Sequence, residues 1–272
     1  MLTLIPTPIG NLEDITLRAM RLFEEAELFL CEDTRETKHL LRLLQERFGM
    51  QKIDVEFLSF HEHNGTQRLI EIDTVLREKN VIYVSDAGMP AISDPGQLLV
   101  AYCQKEDIAY DVLPGANAAL TAYVASGFAS VAFNFFGFLP HKGAQRKEKL
   151  TSLLSMDIPT ILYESPHRLL KLLEELSVLA PSRELFLAKE LTKKFQNYFR
   201  GDANKAFEHF QSQNIRGEWV VIIDAKKEKI NVLYMEDIVD LDIAPKIKAK
   251  LIAKLSGKSI KECYDAIITK EK

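Results

Sequence analysis

Residues 81–96 read Val81-Ile82-Tyr83-Val84-Ser85-Asp86-Ala87-Gly88-Met89-Pro90-Ala91-Ile92-Ser93-Asp94-Pro95-Gly96. An apolar, β-rich run ends here in a loop of small residues, and ligands of open α/β sheets sit at the carboxyl ends of strands. Gly88, Gly96, Pro90 and Pro95 within residues 85–96 are more than a plain turn requires. Small side chains let a ligand approach the backbone. Asp86 sets a carboxylate at the strand end, suited to ribose hydroxyls or to a cationic ligand. Asp94 suits the N-terminal cap of the helix that follows.

Outward from this stretch, similar runs alternate with amphipathic ones. Strands are expected at Leu2–Ile5, Leu28–Cys31, Val55–Phe60, Val81–Ser85, Ala109–Leu113, Phe133–Phe138, Thr160–Tyr163, Glu184–Ala188 and Glu218–Ile223. Helices are expected at Leu17–Ala26, Thr37–Phe48, Gln67–Glu78, Gln145–Leu154, Leu169–Leu179 and Ala203–Gln213. The alternation predicts α/β layers on mostly parallel sheet, and that many strands favour two sheets. The expected domains are 1–118 and 119–228, followed by a basic helical extension at 229–272. A polar linker at 226–229 leads to helices Pro245–Leu255 and Ile260–Thr269, with Ser259 as N-cap.

Composition narrows the classes. With 272 residues, 47% hydrophobic and 27% charged, the chain is neither disordered, collagenous nor coiled coil. A net charge of −4 leaves nucleic-acid contact to local basic patches. Cys31, Cys103 and Cys263 are odd in number and scattered, which excludes a disulfide framework and suits a reduced, cytoplasmic setting. From Val112 to Pro140 no residue is charged, yet Pro114, Gly115, Gly127 and Gly137 break the run. A helix and a strand, not a membrane span, are expected there. The glycine-rich dinucleotide loop, the phosphate-binding loop, the nucleophile elbow and the zincin helix are all missing from the sequence.

Other strand ends carry polar loops. Thr7–Asp14 offers backbone amides to a ligand or is a simple βα turn. Pro114–Ala119 suits an adenine or anion contact, or close helix–strand packing. In Glu32-Asp33-Thr34-Arg35, Asp33 is placed to cap a helix, and Arg35 is free for phosphate. His61 and His63 share a face if their strand continues, but no third metal ligand accompanies them, so no metal site is expected. The second half adds Tyr163–Leu169 and a basic, aromatic stretch, Lys189–Arg200, suited to RNA by charge and stacking or to a solvated surface.

In order and spacing, TPIGNLEDIT, EDTR, SFHEHN, VSDAGMPAISDPG, PGANAALTA, GFLPHKGAQRKEKL, YESPHRL, KELTKKF and RGEWVV resemble the ribosomal RNA small subunit methyltransferase I family, in the tetrapyrrole methylase superfamily. The resemblance runs from residue 2 to about 224. It implies two αβα domains of tetrapyrrole-methylase type with S-adenosylmethionine in the cleft between them. The implied reaction is 2′-O-methylation of a cytidine in the decoding region of 16S rRNA, by a homodimer acting on 16S rRNA or the small subunit. Implied cofactor contacts are Pro8, Ile9, Gly10, Asp86, Ala87, Gly88, Asn117 and Ala118, with Glu164, Leu191 and Gly217 from the second domain. Asp33, His61 and Glu190 are candidate general bases, and Arg35, Arg168, Lys193 and Lys194 candidate RNA contacts. Asn117 departs from the family, which usually has Ser there, but keeps a donor and an acceptor. Two rival readings are a tetrapyrrole C-methyltransferase and a non-catalytic rRNA-binding assembly factor.

Overall fold

In the computed structural model, β1 (Leu2–Leu4), β2 (Leu28–Cys31), β3 (Glu56–Ser59), β4 (Val81–Val84) and β5 (Tyr110–Val112) form a five-stranded sheet of order β3-β2-β4-β1-β5. Every pairing in it is parallel. The structure describes residues 1–61, 64–225, 238, 241 and 243–270, save the side chains of Thr66, Thr269 and Lys270. His63 and the 226–229 linker lie outside the described residues.

Alternate residues of the inner strands serve two cores. Leu2, Leu4, Leu28, Leu30, Val81 and Tyr83 face α3 (Gly65–Glu78) and α4 (Gly96–Lys105). Ile5, Phe29, Cys31, Ile82 and Val84 face α1 (Leu17–Glu24) and α2 (Thr34–Phe48). Burial on both faces is why these strands read as unbroken apolar runs. Local signals set the helix ends. Thr16 Oγ1 accepts from Ala19 N–H at 3.0 Å to open α1, and α2 ends on Gly49 with φ +70°.

The second sheet has order β6-β7-β10-β8-β9: β6 (Asn134–Phe138), β7 (Thr160–Glu164), β8 (Glu184–Lys189), β9 (Asn197–Asp202) and β10 (Trp219–Ile223). Only β6–β7 is parallel. The expectation of mostly parallel sheet therefore holds for the first sheet and is corrected for the second. A parallel return needs a crossover of about a dozen residues or more. β8 and β9 are joined by residues 190–196 alone, so β9 folds back antiparallel. β9 itself was not expected, because its charged and aromatic residues read as a surface stretch.

One face of this sheet is covered by α6 (Ala144–Leu154), α7 (Pro166–Leu179) and α8 (Ala203–Phe210). α5 (Ala118–Ser126) covers the other, setting Ala119 and Ala122 against Ile161, Phe186, Ala188 and Ile222. The uncharged run from Val112 to Pro140 thus becomes α5 and β6, with Gly127 at φ +63° between them. No helix among the described residues is long and apolar enough to cross a membrane.

Contacts divide the chain into two units, 1–226 and 227–272. The first holds both sheets. Within the second, α9 (Pro245–Ser256) and α10 (Ile260–Lys270) pack through Ala249, Ala253 and Cys263. Ser259 caps α10 as expected. Its Oγ accepts from Glu262 N–H at 3.2 Å, and Glu262 Oε2 accepts from Ser259 N–H at 3.0 Å.

Candidate active site

The loops after β1 and β4 are zipped together. Thr7 N–H donates to Gly88 O and Gly88 N–H to Thr7 O, both at 3.0 Å. Gly88 has φ +81°, and a Cβ there would lie 3.1 Å from Ile9 Cγ2, so both conformation and space call for glycine. Asp94 braces the rest of the β4 loop. Its carboxylate accepts from Ala91 N–H (2.9 Å), Gly96 N–H (3.0 Å) and the buried Tyr83 hydroxyl (2.7 Å). It holds Ala91 at φ +67°, a conformation that non-glycine residues adopt only when their surroundings enforce it.

A cavity of about 380 Å³ opens beside these loops, between the first sheet's carboxyl edge and the second sheet. Ile9, Ala87, Gly88, Asn117 and Ala118 line it from the first side, and Glu164, Leu191, Tyr163 and Glu218 from the second. Its volume lies in the range of small-molecule sites, about 300–1,000 Å³. Asn117 caps α5 by accepting from Leu120 N–H at 2.9 Å. A Cβ on Gly115 would lie 2.7 Å from Pro6 Cβ, so this glycine serves close backbone packing.

The two halves meet at Gly10. A Cβ there would lie 2.8 Å from Leu191 O, and Asn11 N–H donates to Thr192 Oγ1 at 3.0 Å. On the far side, Glu190 (φ +51°) accepts from Glu218 N–H at 2.9 Å and from Lys193 Nζ at 3.1 Å. Burial alone would raise its pKa, but these donors outweigh that and lower it. Gly217 has φ +113°, and a Cβ there would meet Glu190 Cγ at 2.7 Å. Gly10 and Gly217 thus shape the rim without lining the cavity.

Acidic groups gather at the β2 and β4 ends. Asp86 Oδ1 accepts from Asp33 N–H at 3.0 Å, and burial raises the pKa of both Asp86 and Glu32. Asp33 opens α2 and binds Arg35 Nη2 at 2.6 Å, which brings its pKa down to about 2. In the second-half wall, Glu164 is buried and its pKa is raised, first by desolvation. Its Oε1 accepts from Ser165 N–H at 2.9 Å, while its Oε2 has no hydrogen-bond partner among the described residues. Arg168 Nε lies 3.2 Å from Oε1, and the guanidinium of the buried Arg146 lies 3.8 Å from Oε2. Arg146 also binds Glu175 at 2.8 Å and Pro140 O at 3.1 Å, and Arg168 binds Leu139 O at 2.6 Å.

Of the cofactor contacts implied by the resemblance, Ile9, Ala87, Gly88, Asn117, Ala118, Glu164 and Leu191 line the cavity, whereas Pro8, Gly10, Asp86 and Gly217 do not. None of the three candidate bases lines it: Asp33 caps α2, His61 follows β3, and Glu190 holds the 217–218 turn. Of the candidate RNA contacts, Arg35 and Lys194 are exposed, Lys193 is tied to Glu190 and Glu218, and Arg168 is turned inward. Among the described residues no cluster of three metal-ligating side chains occurs. Lining residues missed in the sequence include Ser93, Phe138, Tyr163, Glu218 and Trp219. Each sits at a strand end or in the β4 loop, and position at a strand's end was the signal available for them.

The family model of tetrapyrrole (corrin/porphyrin) methylases matches residues 1–206. The chain is 44% identical over 285 aligned positions to ribosomal RNA small subunit methyltransferase I of Helicobacter pylori, covering 100% of this chain and 99% of that one. It is 45% identical over 271 positions to the protein of the same name from Campylobacter fetus, covering 99% and 100%. Among solved structures, a cobalt precorrin-4 methyltransferase of cobalamin biosynthesis superposes with TM-score 0.58 at 17% identity, over 82% of this chain and 94% of that one. A Thermus thermophilus uroporphyrin-III C-methyltransferase complexed with S-adenosylhomocysteine gives 0.56 at 17%, over 82% and 96%. At these identities the structural likeness concerns the fold alone. The relatives matched end to end settle the rest: the chain belongs to the ribosomal RNA small subunit methyltransferase I family, within the tetrapyrrole (corrin/porphyrin) methylases.

Proposed function

We propose that this protein methylates the RNA of the small ribosomal subunit with S-adenosylmethionine, at the 2′-oxygen of a cytidine in the decoding region of 16S rRNA. The observation that carries the reading is the cavity between the two sheets, in a chain whose relatives of matching length bear the name of an rRNA methyltransferase. The residues present fit such a cofactor. Ala87 and Gly88 put small residues on the cavity wall, and Glu164 sets a buried carboxylate in it whose Oε2 makes no hydrogen bond among the described residues. When bound, S-adenosylmethionine supplies an electrophilic methyl carbon.

The chain's own part is placement. Ile9, Gly88, Asn117 and Ala118 form one wall and Leu191 and Tyr163 the other, so a ligand held between them is shielded from water. Good orientation can remove about 7–11 kcal/mol of barrier. Asp33 and Glu190 are poorly suited as bases, since lowered pKa values and existing partners commit both to the ionised form. His61 remains the proposed base, with Arg35 and Lys194 as the exposed contacts for RNA phosphates. The division into 1–118, 119–228 and a helical extension belongs to the same reading, as do a homodimer and a cytoplasmic setting. The separate sheets and the unit boundary at 226/227 support the division.

The test is transfer of labelled methyl groups to undermethylated small subunits, followed by nucleoside mass spectrometry. The expected product is 2′-O-methylcytidine. Cofactor binding with no label on subunits or free 16S RNA, but with label on a tetrapyrrole, would transfer the protein to the C-methyltransferase reading.

A further inference from the structure

A second cavity, of about 210 Å³, lies at the end of the second sheet. Trp219, Lys189 and Asn197 are cross-strand neighbours there on β10, β8 and β9. Lys189 Nζ lies 5.6 Å above the Trp219 ring and donates to Asn214 O at 2.6 Å. Phe199 stacks on His209 at 5.0 Å with 26° between the planes. Phe210 closes the back, edge-on to Trp219 at 5.2 Å. Asn197 and Gln213 are exposed at the rim, with no side-chain hydrogen bond among the described residues. Nearby, Arg216 is exposed and makes no ion pair among the described residues.

We propose that this cavity takes one unstacked base of a single-stranded RNA segment, an inference that rests on the RNA-directed function above. Aromatic rings match the π-face of a base, amides its hydrogen-bonding edge, and Lys189 and Arg216 the adjoining phosphates. The volume suits a single heterocycle, and it falls below the roughly 300 Å³ at which whole-ligand sites begin. Trp219 belongs to the walls of both cavities, so a strand anchored here passes close to the proposed methyl-transfer site.

Trp219 is the chain's single tryptophan and reports occupancy directly. Protein saturated with S-adenosylhomocysteine is titrated with hexacytidylate, and with the same hexamer made abasic. The expected result is quenching by hexacytidylate alone. His209→Ala and Asn197→Ala, both at exposed positions, should raise its Kd about fivefold or more, and His209→Phe should restore it. Unchanged affinity in both alanine variants, or equal quenching by the abasic hexamer, overturns the site. So does quenching produced by raised protein concentration without RNA, which would assign the cavity to a second copy of the chain. Methyl transfer to subunits is measured in parallel. Transfer by the wild-type protein without quenching sinks this inference alone. Quenching without transfer to any RNA keeps the site and sinks the methylation reading.

Discussion

The two sheets of the first unit bury similar apolar cores by different means. The first is wholly parallel, wrapped by helices on both faces, and its polar groups gather in loops at one edge. The second is mixed, and its wall carries Glu164 in an ionic array with the buried Arg146 and the half-buried Arg168 and Glu175. Parallel topology delivers successive strand ends to one edge, so loops there can be braced cheaply by backbone bonds and one carboxylate, Asp94. The second half reaches the same cavity through Phe138 and residues 163–166, beside backbone at 139–140 pinned by two arginines, and Glu164 in its wall is a charge taken out of water. The first side of the site is therefore shaped by chain path, the second by electrostatics.

This contrast can be broken. Arg146→Ala leaves Glu164 and Glu175 without their buried partner and should cost about 3–5 kcal/mol in denaturant unfolding. A loss under about 1 kcal/mol would remove the second half's dependence on its ion array. Asp94→Ala, the corresponding cut in the first half, should cost about 1.5–3 kcal/mol, because Tyr83 and two loop amides lose a charged acceptor. An equal cost for the two would erase the difference between the halves. Gly10→Ala strikes the seam. Its Cβ would press on Leu191 O, and such overpacking typically costs about 1–3 kcal/mol. Calorimetry should show cofactor affinity falling with it, and unchanged affinity would uncouple the seam from the cavity.

The smallest effect is in pH dependence, where the halves should differ in sign. Asp33 titrates near 2 in the folded protein against an ordinary 3.8, so its stabilisation is present above 3.8 and is lost as pH falls towards about 2. Glu164 is raised above 4.5, so its carboxyl favours the folded state most below 4.5, and that advantage fades as pH rises through its folded pKa. In thermal melts across acid pH, Asp33→Asn should flatten the lower limb and Glu164→Gln the upper. Identical profiles would mean that neither environment differs from water.

Much of the first half was legible. Leu28–Cys31 and Val81–Val84 read as strands because burial on both faces made them continuously apolar, and Asp33 announced its cap by residue type, whereas the cap at Asn117 came only with the structure. The second half was less so. Asn197–Asp202 pairs through its backbone while its side chains stay mixed and largely exposed, so no apolar period marks β9. Arg146 lies in a helix expected only as amphipathic, where an arginine belongs to the polar face, yet it is among the most buried side chains, since its carboxylate partners stand far along the chain at 164 and 175. Arg168 was expected at phosphate for the same reason: sequence shows a charge but not the distant carboxylate facing it.

By itself the sequence determined the α/β layering, the edge of the first sheet that carries the small-residue loops, the helical pair at the end of the chain and the family resemblance. All of these follow from local periodicity, capping chemistry and motif order. Only the tertiary structure decided that Gly10 is packed against Leu191, that Glu190 is spent on a turn, that Trp219 stands between two cavities and that β9 closes the second sheet. Each depends on residues far apart in the chain meeting at contact distance, and local sequence carries no measure of that distance.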